Sequence, residues 1–235
     1  MLPVAILCGG LATRLRPLTD QVPKSLVKVA NRPFIFHQLE LLKIQGVERV
    51  VLCAGHLGQQ IKAMVCDGRN FGLAVDYSFD GEELLGTAGA INRALGLLGE
   101  RFFVLNGDSY LRCSYPLVQS SYESCGRLGL MTVLRNENQW DRSNVIFRNG
   151  EVIEYDKAHH RPEMAHIDFG LCVLSSAVFS TVRGAVTCDL AEVFKTLAAQ
   201  RQLAGLEVAE RFYEIGSRAG LRDTESFLLR HAVTA

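Results

Sequence analysis

The apolar run Val4-Ala5-Ile6-Leu7-Cys8 passes directly into Gly9-Gly10-Leu11-Ala12-Thr13-Arg14-Leu15-Arg16-Pro17-Leu18-Thr19, and Pro23-Lys24-Ser25 follows closely. A short apolar run bounded by glycines reads as a strand buried on both faces. The loop beyond it offers bare amides at Gly9 and Gly10, the Thr13 hydroxyl, the guanidiniums of Arg14 and Arg16 and the ammonium of Lys24. Glycine lets backbone N–H groups close around an anion, because no Cβ blocks the approach. Arginine adds a planar fork matched to phosphate oxygens, and lysine adds a compact charge. The loop is chemically suited to a polyphosphate. It lacks the Gly-Lys-Ser/Thr ending of the P-loop, and it lacks a G-x-G-x-x-G followed by an acid about twenty residues on.

Strand and helix patterns alternate through the first half. Helices are predicted near Phe34–Gln45 and Leu57–Val65, and strands at Arg49–Ala54, Ala74–Ser78 and Phe102–Asn106. Ala88, Ile91, Leu95 and Leu98 mark a further helix by their spacing. The repetition predicts an α/β fold with a doubly wound, mostly parallel sheet that binds ligands beyond the carboxyl ends of its strands. The second half is mixed. Strands are predicted at Leu128–Leu134, Val145–Phe147, Val152–Tyr155 and Ile167–Leu174, and helices at Asp189–Ala199 and Thr224–His231. Arg148-Asn149-Gly150 reads as a hairpin turn. With no linker or repeat, one domain over residues 1–235 is expected, its first part covering about 1–112 and its second about 113–235.

Twenty-five basic residues balance twenty-five acidic ones without a basic block, which argues against nucleic acid or an anionic membrane as a partner. No apolar stretch nears the ~20 residues of a membrane span, and the N-terminus does not read as an export signal. Seven cysteines, an odd number with no C-x-x-C pair, sit mostly in apolar runs and read as reduced, buried thiols. Together these features predict a cytoplasmic protein.

Asn106-Gly107-Asp108-Ser109 follows the apolar Phe102–Leu105 run. A carboxylate at a strand's carboxyl end, preceded by glycine, sits where Mg²⁺ on nucleotide phosphates would be held. In Leu85-Gly86-Thr87-Ala88-Gly89-Ala90-Ile91 small residues allow flat rings to approach, and Thr87 is expected to cap the following helix. Just upstream, Asp80, Glu82 and Glu83 offer acceptors, which suit the adjacent N1–H and amine donors of guanine. No Ser, Cys or His constellation points to a covalent intermediate, and His159, His160 and His166 lack metal-ligand spacing.

The Gly9–Ser25 string resembles the signature of the sugar-1-phosphate nucleotidylyltransferases, which join a nucleoside triphosphate to a sugar 1-phosphate and release pyrophosphate. Ala12 stands where that signature has glycine, a change the loop accommodates as long as position 12 needs no positive φ. The resemblance implies a Rossmann-like nucleotidyltransferase fold whose second half forms the sugar side of a cleft. It implies nucleotide contacts from Leu7, Gly9, Gly10, Thr13, Arg14, Lys24, Glu82, Gly86, Thr87, Gly89 and Gly107, with Arg14, Lys24 and Asp108 catalytic. Glu154-Tyr155-Asp156-Lys157 is similar to the segment whose lysine holds the acceptor phosphate, and His166-Ile167-Asp168-Phe169-Gly170 to the one touching sugar hydroxyls through Asp168 and Gly170. Arg211-Phe212-Tyr213-Glu214-Ile215-Gly216-Ser217 resembles the motif that supplies a second Mg²⁺ ligand, here Glu214 in place of Asp. Within the family these strings look most like the guanylyltransferases of D-glycero-α-D-manno-heptose 1-phosphate, which make GDP-heptose for bacterial surface and capsule polysaccharide. N-acetylmuramic acid 1-phosphate uridylyltransferases and hexose-1-phosphate enzymes are the alternatives. A sensor that binds nucleotide sugar without turnover is the reading from another class. A homo-oligomer is compatible with all of these.

Overall fold

The computed structural model describes residues 1–181 and 187–231; residues 182–186 and 232–235 of the expected second part lie outside the described residues. In chain order the elements are β1 (Val4–Leu7), β2 (Lys28–Val29), β3 (Arg32–Pro33), α1 (Phe34–Ile44), β4 (Arg49–Ala54), α2 (Gly58–Val65) and β5 (Ala74–Phe79). They continue with α3 (Gly86–Leu98), β6 (Arg101–Asn106), β7 (Ser109–Tyr110), α4 (Tyr115–Cys125), β8 (Gly129–Arg135), β9 (Val145–Arg148) and β10 (Glu151–Tyr155). The last are β11 (His166–Ser175), α5 (Leu190–Ala199), β12 (Leu203–Val208), β13 (Tyr213–Glu214) and α6 (Arg218–His231).

One nine-stranded sheet runs in the order β5-β4-β1-β6-β11-β8-β12-β10-β9. β5, β4, β1 and β6 are mutually parallel. β11 is antiparallel to both β6 and β8, β12 is parallel to β8, and β10 and β9 close the edge antiparallel. The expected doubly wound, parallel first half is thus joined through β11 to a mixed second half. Alternation along β1 explains its unbroken apolar run. Val4 and Ile6 face a core shared with Leu39 and Leu42 of α1, Ile61 of α2 and Val118 of α4. Ala5 faces the opposite core, with Ile91 and Ala94 of α3 and Phe194 and Leu197 of α5. Each large apolar side chain buried in this way contributes roughly 1.5–3 kcal/mol. A third cluster of Val27, Val29, Phe34, Ile215, Phe227 and Leu228 folds α6 back onto the N-terminal part. That packing brings β13 alongside β7.

Neither α4 nor β12 was expected from the sequence, and α6 begins six residues earlier than expected. α4 had usable signals. Ser114 caps it by accepting from the Leu117 amide, proline sits in its first turn, and Gly126 ends it at φ 64°. Its buried face is only Tyr115, Val118 and Tyr122, and intervening Gln and Ser residues blur the pattern. β12 is a product of pairing between strands more than seventy residues apart in sequence, which local pattern does not report.

Candidate active site

β1 and β6 are parallel neighbours with Leu7 opposite Asn106, so the loops that follow them emerge side by side. The Gly107 amide donates to the Leu7 carbonyl at 3.0 Å and fixes that juxtaposition. From beneath, buried Gln38 donates to the carbonyls of Asn106 and Ser109 at 2.9 and 2.7 Å, holding the turn that carries Asp108. The phosphate-type loop tightens into a 3-10 turn at Thr13–Leu15, and Thr19 Oγ1 donates to the Ala12 carbonyl at 2.9 Å.

Ala12 lies at φ 49°, ψ 39°, in the left-handed region. The condition for a cost-free alanine is therefore not met: the position demands the conformation that glycine adopts freely. Left-handed geometry costs an L-residue roughly 1–2 kcal/mol, part of which glycine returns through its unfolded-state entropy. Ala12→Gly is expected to stabilise the protein by up to about 1 kcal/mol, raising the melting temperature by about 2–4 °C. A thermal melt checks it.

At the centre of the cleft, Lys24 Nζ stands 2.5 Å from Asp108 Oδ2, with both side chains about one-fifth exposed. Ser109 Oγ donates to the other Asp108 oxygen at 3.2 Å. Pairing of β13 with β7 sets Glu214 opposite Ser109, and the Ile215 amide donates to the Asp108 carbonyl at 2.9 Å. Glu214 accepts from the Gly216 amide and, at 2.9 Å, from Ser217 Oγ, so its carboxylate also braces the lead into α6. A Cβ placed on Gly216 would lie 2.6 Å from Glu214 Oε2, 3.2 Å from Asp108 Oδ2 and 3.3 Å from an Arg14 guanidinium nitrogen. Two carboxylates and a guanidinium therefore converge on one point.

The opposite wall is built by an irregularity in β11. Asp168 pairs with Val133 and Cys172 with Met131, so four residues of β11 span two of β8. Such bulges re-aim side chains. Here Asp168 and Gly170 face the cleft, and Thr132 Oγ1 fills the gap by donating to the Leu171 carbonyl at 2.6 Å. Gly170 has φ 101°, a conformation that L side chains rarely adopt. Asp168 accepts from the Gly170 amide at 2.9 Å, its own amide donates to Asn144 Oδ1 at 2.9 Å, and the Tyr155 hydroxyl is 3.5 Å away. Burial holds the Asp168 carboxyl above the usual range despite the nearby Lys157 ammonium. Next to Lys157, Asp156 accepts from the Ala158 and His159 amides, and those bonds with His159 first pull its carboxyl down to about 2.

These walls enclose a cleft of about 720 Å³. Leu7, Gly9, Gly10, Gly86, Thr87, Gly107, Lys157, Asp168 and Gly170 line it with Arg14, Lys24, Asp108 and Glu214. Gly10 faces open space, with no atom within 4 Å of an added Cβ. Thr13, Glu82 and Gly89 are not part of the lining. Of the acidic run it is Asp80 that reaches the cleft; Glu82 is solvent-exposed. Asp80 is 7% exposed, and burial raises its carboxyl.

Thr87 does not cap α3, contrary to expectation. The amides of Ala88 and Gly89 donate instead to the Cys188 carbonyl, at 2.9 and 3.3 Å. Thr87 Oγ1 turns to α5, accepting from the Leu190 amide at 2.7 Å and donating to Asp189 at 3.0 Å. The segment before α5 occupies the N-terminus of α3, a long-range contact with no local signal. The cleft also includes Trp140 and Asn144, which no sequence motif singled out, and Phe212 of the Arg211–Ser217 string. His159 and His160 bond Asp156 and the Ser143 carbonyl, and His166 faces Glu207 at 3.5 Å. Burial pushes the Cys8 thiol up to about 12, which makes it a packing group rather than a nucleophile. All seven cysteines are free, and among the described residues no helix is long and apolar enough to cross a membrane.

Residues 4–141 match the model of the nucleotidyl transferase family, and the chain belongs to that family. It is 32% identical over 220 residues to the mannose-1-phosphate guanylyltransferase catalytic subunit beta of Xenopus tropicalis, covering 90% of this chain and 60% of the relative. The Drosophila melanogaster protein of the same name is 31% identical over 218 residues, covering 90% and 58%. The chain thus spans about three-fifths of the length of these relatives. Among solved structures, HddC from Yersinia pseudotuberculosis complexed with GMP-PN superposes with a TM-score of 0.80 at 23% identity, covering 97% of this chain and 100% of that one. UDP-glucose pyrophosphorylase complexed with UDP-glucose gives 0.80 at 16% identity, covering 98% and 99%. At those identities the likeness defines the fold.

Proposed function

We propose that the cleft joins a nucleoside triphosphate, GTP foremost, to a manno-configured sugar 1-phosphate and releases pyrophosphate. Mannose 1-phosphate is the first acceptor, in line with the guanylyltransferase relatives. D-glycero-α-D-manno-heptose 1-phosphate, to which the motifs point, shares the manno configuration and is the second. The observation that carries the reading is the convergence of Arg14, Asp108 and Glu214 around Gly216, with Lys24 on Asp108 and Lys157 across the cleft.

The reacting oxygen of a sugar phosphate is already an anion, so in-line attack on the α-phosphorus needs no general base. The protein's work is to hold two mutually repelling polyanions in line and to meet the charge that builds on pyrophosphate. The open space at Gly10 admits phosphate to the backbone amides, Arg14 grips the outer phosphates, Lys24 serves the reacting centre and Lys157 the acceptor phosphate. Asp80, beside Gly9, supplies an acceptor for the donor edge of guanine. Asp108 and Glu214 fit Mg²⁺, which takes one or two carboxylates and completes its shell with phosphate oxygens and water. Bound there, the ion would neutralise phosphate charge. Among the described residues no group of three or more His, Cys, Asp or Glu offers an all-protein metal cage.

Asp168 is read as an acceptor for a sugar hydroxyl, and its raised carboxyl makes a two-sided prediction. A carboxyl raised by folding binds protons more tightly folded than unfolded, so its ionised form weakens the fold at neutral pH. Asp168→Asn is expected to melt at the same or a higher temperature at pH 7, the difference shrinking as pH falls towards about 4. Its KM for the sugar phosphate is expected to rise roughly 10- to 100-fold with loss of the charged acceptor. Melts at both pH values and steady-state kinetics check the two halves.

The functional reading is tested by measuring pyrophosphate release with Mg²⁺ for GTP, UTP, ATP, CTP and dTTP. Each is crossed with mannose, heptose, glucose, N-acetylglucosamine and N-acetylmuramic acid 1-phosphates. GTP with a manno-configured phosphate is the expected pair. UTP with the muramic acid phosphate would keep the reaction and overturn the specificity.

A further inference from the structure

Trp140 is the chain's one tryptophan, and 41% of it is exposed at the cleft wall. An indole left in water would ordinarily move freely, but this one is held through its backbone amide and by a cation over its ring. Asn136, 2% exposed, accepts from the Trp140 amide at 3.1 Å and donates to the Asp141 carbonyl and Ser143 Oγ at 2.7 and 3.0 Å. Ser143 Oγ accepts from the Asn138 amide at 3.1 Å, and its own amide donates to Asn138 Oδ1 at 2.9 Å, closing the 136–143 loop on itself. The Arg211 guanidinium lies 3.7 Å from the indole centroid and 4.8 Å from the Tyr213 ring, and it pairs with Asp223. Tyr213 stacks on Phe227 at 4.0 Å, and Phe227 on His231 at 4.0 Å. An unbroken stack therefore runs from the cleft to the end of α6. Trp140 lines the cleft and Arg211 does not, so the cation backs the ring.

The chain has immobilised a broad aromatic ring in the wall of the cleft. Asn144 ties the end of this loop to the Asp168 amide, so the ring and the hydroxyl acceptor belong to one rigid wall. A pyranose presents hydroxyls at its rim and polarised C–H groups on its faces. The negative face of an aromatic ring attracts such C–H groups. The base-side groups are in the first half of the chain: Gly9 and Asp80 follow β1 and β5, and Gly86 opens α3.

We infer that Trp140 is the platform on which the sugar ring of the acceptor lies, and that Arg211 is a positioning residue that holds the indole in place. The inference rests on the reading of the cleft as a sugar 1-phosphate site and adds a specificity-determining contact to it. Substituting the indole removes a contact to the sugar and leaves the nucleotide's contacts intact.

The single tryptophan makes the test direct. Emission of the wild-type protein with Mg²⁺ is followed during titration with GDP and with GDP-mannose, which share base and phosphates and filter the exciting light alike. GDP-mannose is expected to change the emission clearly more than GDP. Trp140→Ala is expected to raise KM for the sugar phosphate roughly tenfold, with KM for GTP within twofold and kcat little changed. Trp140→Phe is expected to restore most of the affinity, and Arg211→Gln to give an intermediate KM. Should Trp140→Ala fail to fold, the wild-type titration and Trp140→Phe decide. Equal responses to GDP and GDP-mannose overturn the platform while the wider reading stands on its turnover. A rise in KM for GTP instead assigns the ring to the nucleotide and also overturns it. Absence of wild-type turnover with every sugar phosphate overturns both.

Discussion

Lys24→Ala and Asp108→Asn are each expected to lower the rate of nucleotidyl transfer on the order of 10²–10³, the usual consequence of deleting one preorganised charge partner of a transition state. The two side chains are about one-fifth exposed and 2.5 Å apart, so either one left alone still reaches water. Asp108 also retains the Ser109 hydroxyl. The fold should therefore survive both changes, and melting temperatures should move by no more than a few degrees. The double variant should lose far less than the product of the single losses, because the two groups act as a unit. Steady-state rates with GTP and mannose 1-phosphate, alongside thermal melts, measure all three quantities. Near-wild-type turnover in either single variant contradicts the roles assigned to Lys24 and Asp108.

Gly107→Ala is expected to damage both stability and rate. A methyl at this position would stand 2.6 Å from the Leu7 carbonyl oxygen, 3.0 Å from Cys8 Sγ and 3.2 Å from Cys8 Cα. Two of those atoms are the backbone of β1 and its exit, which cannot rotate away, so β1 and β6 must part where their loops converge. Overpacking of this kind costs about 1–3 kcal/mol. A displacement of Asp108 approaching 1 Å costs on the order of 10² in rate. Gly10→Ala is the matched control for stability, because an added methyl there meets nothing within 4 Å. A Gly107→Ala protein as stable and active as wild type would show that the close approach does not position the carboxylate.

The elements nearest the nucleotide side were legible because their chemistry is local. The Gly9 loop, Lys24 and the Gly107-Asp108 turn each follow an apolar strand closely, and parallel pairing then brings them together. Glu214 was legible by motif, although its bracing of Gly216 and Ser217 was not. What escaped was built by distant parts of the chain. Thr87 is turned towards α5 by residues about a hundred positions away. Trp140 is backed by Arg211, seventy-one residues on in the numbering; no motif includes Trp140, and the Arg211–Ser217 string does not report that Arg211 reaches it. Ala12 shows a different limit, since composition gives a small residue and only the backbone shows the left-handed φ it must hold.

The most direct measurement is simultaneous quantification of pyrophosphate and nucleotide sugar from the wild-type protein with Mg²⁺ and GTP, with and without mannose 1-phosphate. Direct transfer predicts that both products form one to one, and only when the sugar phosphate is present. Exchange of labelled pyrophosphate into GTP without the sugar phosphate would reveal a covalent intermediate and contradict direct transfer. Tight binding of GDP-mannose with no turnover of any pair would make the cleft a sensor.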